Sequence, residues 1–366
     1  MKEFGSDFHK CDLNFRVDNF QLEFLGCKRF FSCGRHAIEA IIKHEKWKRI
    51  WMPAYFCYEV IAHIKSTGIE VALYDDHPLS ENDDAVVRTL PYQNGDVLFR
   101  TDYFGLRKWR SNKGIKVPVI EDHTHGLITQ WTLRSDADWC IASLRKSFPI
   151  ATGGVLWSPK DKTLPDLIEP TEECKVMAVE RYKAMKMKAE YLKVVYATNT
   201  EETEMKETFR EKYVDTEEQI ANLTLSGIDE QSWDIINTFN IKGWTDLKFD
   251  NWLLAKDLLS RNFQLLEGER KDDRYPFSLI LLLDTNKERE ALRQYLVKNK
   301  IYPAVLWNIP KDSRFDQARF FSERMLSIHC DIRYSRKDII EMCNTINKFY
   351  DTNINTSVNF YRKIKS

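Results

Sequence analysis

Two stretches decide the reading of this chain: Val119-Ile120-Glu121-Asp122-His123-Thr124-His125-Gly126 and, downstream, Ile141-Ala142-Ser143-Leu144-Arg145-Lys146-Ser147-Phe148-Pro149-Ile150-Ala151-Thr152-Gly153-Gly154. In the first, an apolar strand ends in an acid. In the second, the next apolar run empties into a loop holding Lys146, twenty-four positions after Asp122. That order suits a pyridoxal 5'-phosphate (PLP) site. A lysine amine condenses with the cofactor aldehyde, while a carboxylate keeps the pyridine nitrogen protonated so that the ring accepts electrons. Lys146 and Asp122 are therefore the candidate catalytic residues, and PLP is the candidate cofactor.

Working outward, helices and strands alternate on both sides of these segments. Residues 34–42 open an amphipathic helix, with Ala37, Ile38, Ile41 and Ile42 at helical spacing. Residues 48–53, 69–74, 96–100 and 117–120 read as strands, residues 58–66 as a helix, and residues 109–114 as a short helix. The alternation predicts an α/β fold with a mostly parallel sheet flanked by helices. Ligands in such sheets bind beyond the carboxyl ends of the strands, where Asp122 lies.

From about Lys160 the composition turns to long charged stretches, 174–197 and 201–218, which read as helices with solvated charged faces. Residues 252–263 read as a helix leading out of a large domain. A strand at 276–283 and helices at 287–298 and 338–350 then suggest a compact α/β unit. The expected division is a large cofactor-binding domain over 1–252, including the charged helical region 160–252, and a smaller C-terminal α/β domain over 253–366.

Composition narrows the partners. Lysine plus arginine and aspartate plus glutamate both number 55 in 366 residues, so no net charge draws the chain to nucleic acid or anionic lipid. No apolar run approaches the roughly 20 residues of a membrane span. Residues 1–15 alternate charged with apolar side chains and lack the apolar core of a secretion signal, so a cytoplasmic protein is expected. Eight cysteines without a C-x-x-C pair read as reduced thiols. No G-x-G-x-x-G follows the early strands, which disfavours a nicotinamide enzyme.

Several segments, in order, make the chain similar to a known family: Ser32-Cys33-Gly34-Arg35-His36-Ala37, Pro53-Ala54-Tyr55-Phe56-Cys57, Asp102-Tyr103-Phe104-Gly105-Leu106, Glu121-Asp122 and the Lys146 loop. Leu326-Ser327-Ile328-His329-Cys330, followed by Ser335-Arg336-Lys337-Asp338-Ile339-Ile340, resembles that family's closing strand and last helix. The family is the DegT/DnrJ/EryC1/StrS aminotransferases, sugar aminotransferases of PLP fold type I. The resemblance implies that the Gly34, Arg35 and His36 turn receives the cofactor phosphate. It also implies that Asp122 pairs with the pyridine nitrogen, that His125 packs near the ring, that Ser143 offers its hydroxyl to the phosphate, and that Lys146 forms the Schiff base. Arg35 stands where the family has a small residue.

Counted from Pro53, Cys57 occupies the place of the ring that stacks on the cofactor. Cysteine cannot stack, so either its thiol packs there or Tyr58, Tyr55 or Tyr103 substitutes. Tyr103 and His329 fall on the substrate side of the resemblance. The implied reaction moves an amino group from an amino acid, glutamate by analogy, to a keto sugar carried on a nucleotide, in a homodimer.

Two other readings compete. One is a protein of this fold that binds cofactor or partner without catalysis. The other is a metal-dependent enzyme using Asp122-His123-Thr124-His125, since alternate strand residues share a face.

Overall fold

The computed structural model describes residues 3–11, 22–198, 200–238, 240–259, 262–267 and 276–363, with side chains described as far as Tyr350. Part of the N-terminal stretch read above and residues 260–261 of the expected 252–263 helix lie outside them. The chain divides into two compact units. Among the described residues, the larger is built from those within 7–243, and the smaller from those within 3–6, 244–267 and 276–363.

The first strand, β1 (Phe4–Gly5), belongs to the smaller unit. The larger unit then runs through β2 (Lys28–Phe31), α1 (Gly34–Glu45), β3 (Arg49–Pro53), α2 (Tyr58–Ser66), β4 (Glu70–Tyr74), α3 (Asp83–Thr89), β5 (Asp96–Thr101), β6 (Val119–Asp122), α4 (Gln130–Arg134), β7 (Trp139–Ser143) and β8 (Gly154–Trp157). Its sheet has seven strands in the order β2-β8-β7-β6-β5-β3-β4. β7, β6, β5, β3 and β4 pair in parallel, whereas β8 runs antiparallel to both β7 and β2. The central strands are apolar runs because both faces are covered: Val97, Leu98, Phe99, Val119, Ile120, Trp139, Cys140 and Ile141 are all buried.

Parallel pairing sends β5, β6 and β7 to one edge, with Thr101 opposite Asp122 and Asp122 opposite Ile141. The two acids at strand ends, Asp102 and Asp122, therefore become neighbours, and the Asp102 amide donates to the Asp122 carbonyl at 3.0 Å.

The short helix expected at 109–114 is absent, and that segment is irregular. Its polar groups are taken by side chains elsewhere. Arg88 donates to the carbonyls of Ser111 and Lys113, while Asp136 accepts from the Ser111 hydroxyl and the Asn112 amide. Backbone carbonyls claimed in this way do not build an i→i+4 ladder.

Two long helices follow, α5 (Glu172–Thr198) and α6 (Thr203–Asn222), packed on each other, and then α7 (Glu230–Thr238). Their charges are not all solvated. Arg181 and Lys188 of α5 are buried, and Lys188 donates to the Asp7 carbonyl at 2.6 Å.

The smaller unit holds the body of α8 (Ile241–Leu259), then β9 (Gln264–Leu265), β10 (Leu279–Leu282), α9 (Asn286–Lys298), β11 (Ile301–Tyr302), α10 (Asp316–Arg324), β12 (Met325–Ile328) and α11 (Arg336–Lys363). β12, β10 and β9 form an antiparallel sheet, and β1 pairs with β11 in parallel. Trp252, Leu281, Leu326, Ile339 and Ile346 pack in one core there.

One glycine ties the sheet of the larger unit to its first helix. A Cβ on Gly154 would lie 2.2 Å from the carbonyl oxygen of Cys33, the residue before α1. Backbone on both sides leaves no flexible atom to yield. Gly154→Ala should therefore lower stability by about 2–3 kcal/mol, as overpacking against a rigid neighbour does. Urea unfolding of the two proteins measures it, and equal midpoints would show that the contact relaxes freely.

Candidate active site

Helix α1 starts at the sheet edge without a conventional cap. Cys33 is extended and offers no side-chain hydrogen bond, and no acidic residue sits in the first turn. The leading amides of a helix have no acceptor inside it, and its dipole favours negative charge there. Such an end receives phosphates readily. The space beside it is tight because β7 ends against it: a Cβ on Gly34 would approach Ser143 Cβ to 3.0 Å. Gly34 is thus needed where backbone and a serine side chain meet.

Arg35 is half-buried and makes no hydrogen bond or ion pair among the described residues. His36 points elsewhere. Its Nε2 donates to the Leu223 carbonyl at 3.1 Å, and its Nδ1 accepts from the Ser226 amide and meets the Ser32 hydroxyl at 2.6 Å. Burial pushes the His36 imidazole below its ordinary pKa. The side chain anchors α1 to the 223–226 segment, so only its backbone amide is available to a phosphate.

Asp122 closes β6 and is 6% exposed. Its Oδ1 accepts from the Thr124 amide at 2.9 Å, and Thr124 Oγ1 in turn accepts from the Ser143 amide at 2.9 Å. Three predicted positions, Asp122, Ser143 and Gly34, are thereby brought together. Burial raises the Asp122 carboxyl above the ordinary carboxylate range, against the hydrogen bonds from Thr124 and the nearby His123. It makes no salt bridge among the described residues. A buried acid in that condition is suited to a cationic partner such as a protonated pyridine. Three residues on, the His125 ring lies stacked on Phe104, centroids 5.4 Å apart and 10° from parallel.

Lys146 ends a single 3-10 turn, Leu144–Lys146, that follows β7 directly. Leu144 and Phe148 are buried and hold the turn, whereas Lys146 itself is exposed. An exposed amine on a fixed turn is free to react. The residue before it, Arg145, is pinned to Glu217 of α6 at 2.7 Å.

Cys57 is half-buried before α2, where its carbonyl accepts the first helical amides. Tyr103 is buried beneath this region. Its hydroxyl donates to the Tyr55 carbonyl at 2.7 Å, its ring meets Tyr55 edge-on at 5.5 Å, and Arg107 covers it at 4.5 Å. Tyr103 is thus committed to packing, and the resemblance alone assigned it to substrate. Tyr58 is half-buried with its hydroxyl 3.4 Å from the Ala54 carbonyl. His329 lies in the smaller unit, with Nδ1 3.8 Å from Asp331 and its ring edge-on to Phe277.

The metal reading meets different surroundings on its two histidines. His123 is buried with Trp131 and Trp157 near its ring, whereas His125 lies on Phe104. Ligand-type atoms of Glu121, His123 and Cys140 do lie within 4.8 Å of one another. Glu121, however, already accepts from Asn112 at 2.6 Å, Ser135 at 2.6 Å and His123 at 3.2 Å. Burial pushes the Cys140 thiol well above its ordinary pKa, and the Ser135 hydroxyl lies 3.2 Å from its sulfur. Glu121 is thus satisfied without a metal, whereas His123 Nδ1 is buried with no hydrogen-bond partner among the described residues.

Asp102 is a site residue that sequence reasoning left without a role. Its Oδ2 accepts from the Thr129 hydroxyl at 2.9 Å, and a Cβ on Gly126 would lie 2.2 Å from that oxygen. The loop carrying His125 therefore folds directly over Asp102. The available signal was an acid following an apolar strand, as at Asp122. Burial lifts the Asp102 carboxyl from 3.8 to about 6, against His123, Thr129 and Arg107.

Folded Asp102 thus holds its proton more tightly than unfolded Asp102, and it removes stability as pH rises between 3.8 and about 6. The advantage of Asp102→Asn over wild type should be smallest near pH 4 and grow by about 2–3 kcal/mol by pH 7. Chemical denaturation at four pH values checks this, and an advantage flat with pH would reject it.

No protein-family model matches the chain, and no curated protein matches its sequence. Its structure, in contrast, is similar to many solved ones. Helicobacter pylori PseC, an aminotransferase involved in the biosynthesis of pseudoaminic acid, superposes with a TM-score of 0.61 at 11% identity over 96% of this chain and 100% of that one. Spr1654 from Streptococcus pneumoniae in its PLP form gives 0.61 at 13% identity over 90% and 89%. A DegT DnrJ EryC1 StrS aminotransferase from Brucella abortus gives 0.56 at 12% identity over 89% and 87%. At such identities the likeness is one of fold. The chain has the PLP fold type I architecture of these proteins, as the sequence resemblance implied.

Proposed function

We propose that this chain, folded as the DegT/DnrJ/EryC1/StrS aminotransferases are, is a PLP-dependent aminotransferase acting between an amino acid and a keto sugar. The observation that carries the reading is the junction of Asp122, Thr124, Ser143 and the start of α1, with the Lys146 turn three residues beyond Ser143. The residues fit the cofactor: the amides of Gly34, Arg35 and His36 and the Ser143 hydroxyl would hold its phosphate, and Asp122 would pair with its pyridine nitrogen. PLP, when bound, supplies the electron sink that acidifies the substrate carbon.

The chain's own residues do the rest. Asp122, buried and without a basic partner among the described residues, would stabilise positive charge on the ring nitrogen. Lys146 would hold the cofactor through its amine, and that amine would serve as the acid and base that moves a proton at the substrate carbon. His125, held flat on Phe104, packs beside the ring. Arg35 adds a charge-assisted contact to the phosphate, since its guanidinium makes no hydrogen bond among the described residues.

The amino donor is glutamate and the acceptor a nucleotide-linked keto sugar, by likeness to the family. The larger unit is the cofactor-binding domain; likeness to the family assigns His329 to substrate. The enzyme is cytoplasmic and works as a homodimer, the commonest closed assembly. Among the described residues, no helix is long and apolar enough to cross a membrane.

Borohydride reduction of protein incubated with PLP should leave a pyridoxyl group on the peptide containing Lys146. Labelling confined to another lysine would reject the assignment. Asp122→Asn should keep the fold and lose about 100-fold in turnover, the scale of one lost electrostatic group in an active site. Steady-state kinetics with circular dichroism decides it, and near-normal turnover would remove Asp122 from the mechanism. Light scattering at micromolar protein should give a dimer mass, and an active monomer would contradict the assembly.

A further inference from the structure

The charged helices α5 and α6 contain one acid that reaches the lysine turn. Glu217 of α6 accepts from Arg145 at 2.7 Å and lies 3.5 Å from Arg181 of α5. Arg181 is itself fixed by four other contacts. It donates to the Tyr213 carbonyl at 3.0 Å and to Thr216 Oγ1 at 3.1 Å, pairs with Asp7 at 2.6 Å, and lies 4.6 Å over the Tyr213 ring.

Glu217 is thus held by a buried anchor and in turn holds Arg145, whose side chain is only 8% exposed. Arg145 and Lys146 are consecutive residues of one 3-10 turn. Burial alone would raise the Glu217 carboxyl, but Arg145, Lys146 and Arg181 together hold it at about 2. It is therefore ionised at neutral pH, and its direct contact in the lysine turn is Arg145. Among the described residues, Asp7, Cys33, Cys174 and Arg181 also face Arg145.

We propose that Glu217 is the positioning residue of the reactive lysine: through Arg145 it fixes the turn, and through its charge it balances two cations beside the Lys146 amine. This role rests on Lys146 being the lysine that takes the cofactor. The α5–α6 pair then acts as an electrostatic brace for the site. Glu217 acts on the reaction through Lys146 and need not touch substrate.

Two substitutions break the same ion pair with opposite effects on charge, which separates electrostatics from mere support. Glu217→Gln removes the anion and leaves Arg145 unopposed, whereas Arg145→Gln removes a cation and leaves Glu217 free to face Lys146. The first readout needs no cofactor: trinitrophenylation of Lys146 at pH 8, followed by peptide mapping. Glu217→Gln should speed labelling about threefold or more and Arg145→Gln should slow it, because each favours a different protonation state of the amine. Glu217→Asp, which keeps the charge, should stay near wild type.

The second readout is the pH midpoint of visible absorbance in the cofactor-loaded protein. It should fall by about 0.5–1 pH unit in Glu217→Gln and rise in Arg145→Gln. Shifts of the same sign in both variants, or none, with circular dichroism unchanged, would overturn the role of Glu217. If labelling in the cofactor-free protein moves as expected but borohydride marks another lysine, Lys146 is not the cofactor lysine and the role in reaction falls with it.

Discussion

At the carboxyl edge of the larger sheet, Thr124 gives its amide to Asp122 and accepts the Ser143 amide on its hydroxyl, each at 2.9 Å. The rest of the site is built on this joint. It locks the exit of β6 to the exit of β7, and β7 can end there only because Gly34 lets Ser143 approach the first turn of α1. A helix end that favours anions, a buried acid and the turn bearing Lys146 are then held at strand and helix ends by bonds between backbone amides and short, enclosed side chains. A site assembled on strand and helix ends is rigid in a way that one assembled on a long loop is not.

Burial acts on every acid around this edge, and the neighbours decide the outcome. Asp102 and Asp122 face no salt bridge strong enough to offset lost solvation, and both are raised. Glu121 is just as enclosed, yet His123, Ser135 and Asn112 bring it below its ordinary value. Glu217 lies among cations and is lowered further. One type of group therefore does three jobs. Raised acids hold or await a proton or cation, a satisfied acid ties the core together, and a strongly ionised one sets the charge around an amine.

Legibility in the sequence follows the range of the interaction. Helix α1 starts at Gly34 and α2 spans Tyr58–Ser66, as periodicity and breaker residues indicate, because those signals are local. The 109–114 segment was misread because Arg88 and Asp136, distant in sequence, claim its polar groups. Asp122 and Lys146 stand out by type and order, whereas Asp102 looks like any acid after a strand until Gly126 folds over it. Tyr103 matched a family position, and only packing shows that its hydroxyl is spent on the Tyr55 carbonyl.

What the sequence determined by itself is the alternation of strands and helices, the acid and lysine in order, and the glycine at a helix start, since each depends on near neighbours along the chain. Only the tertiary structure decided that α6 reaches the lysine turn, because Arg145 and Glu217 are 72 positions apart and meet through the packing of α5 and α6. Their charges read as solvent-facing along the helix. Folding removes part of that solvent, and a charge deprived of water must find a partner wherever the packing provides one.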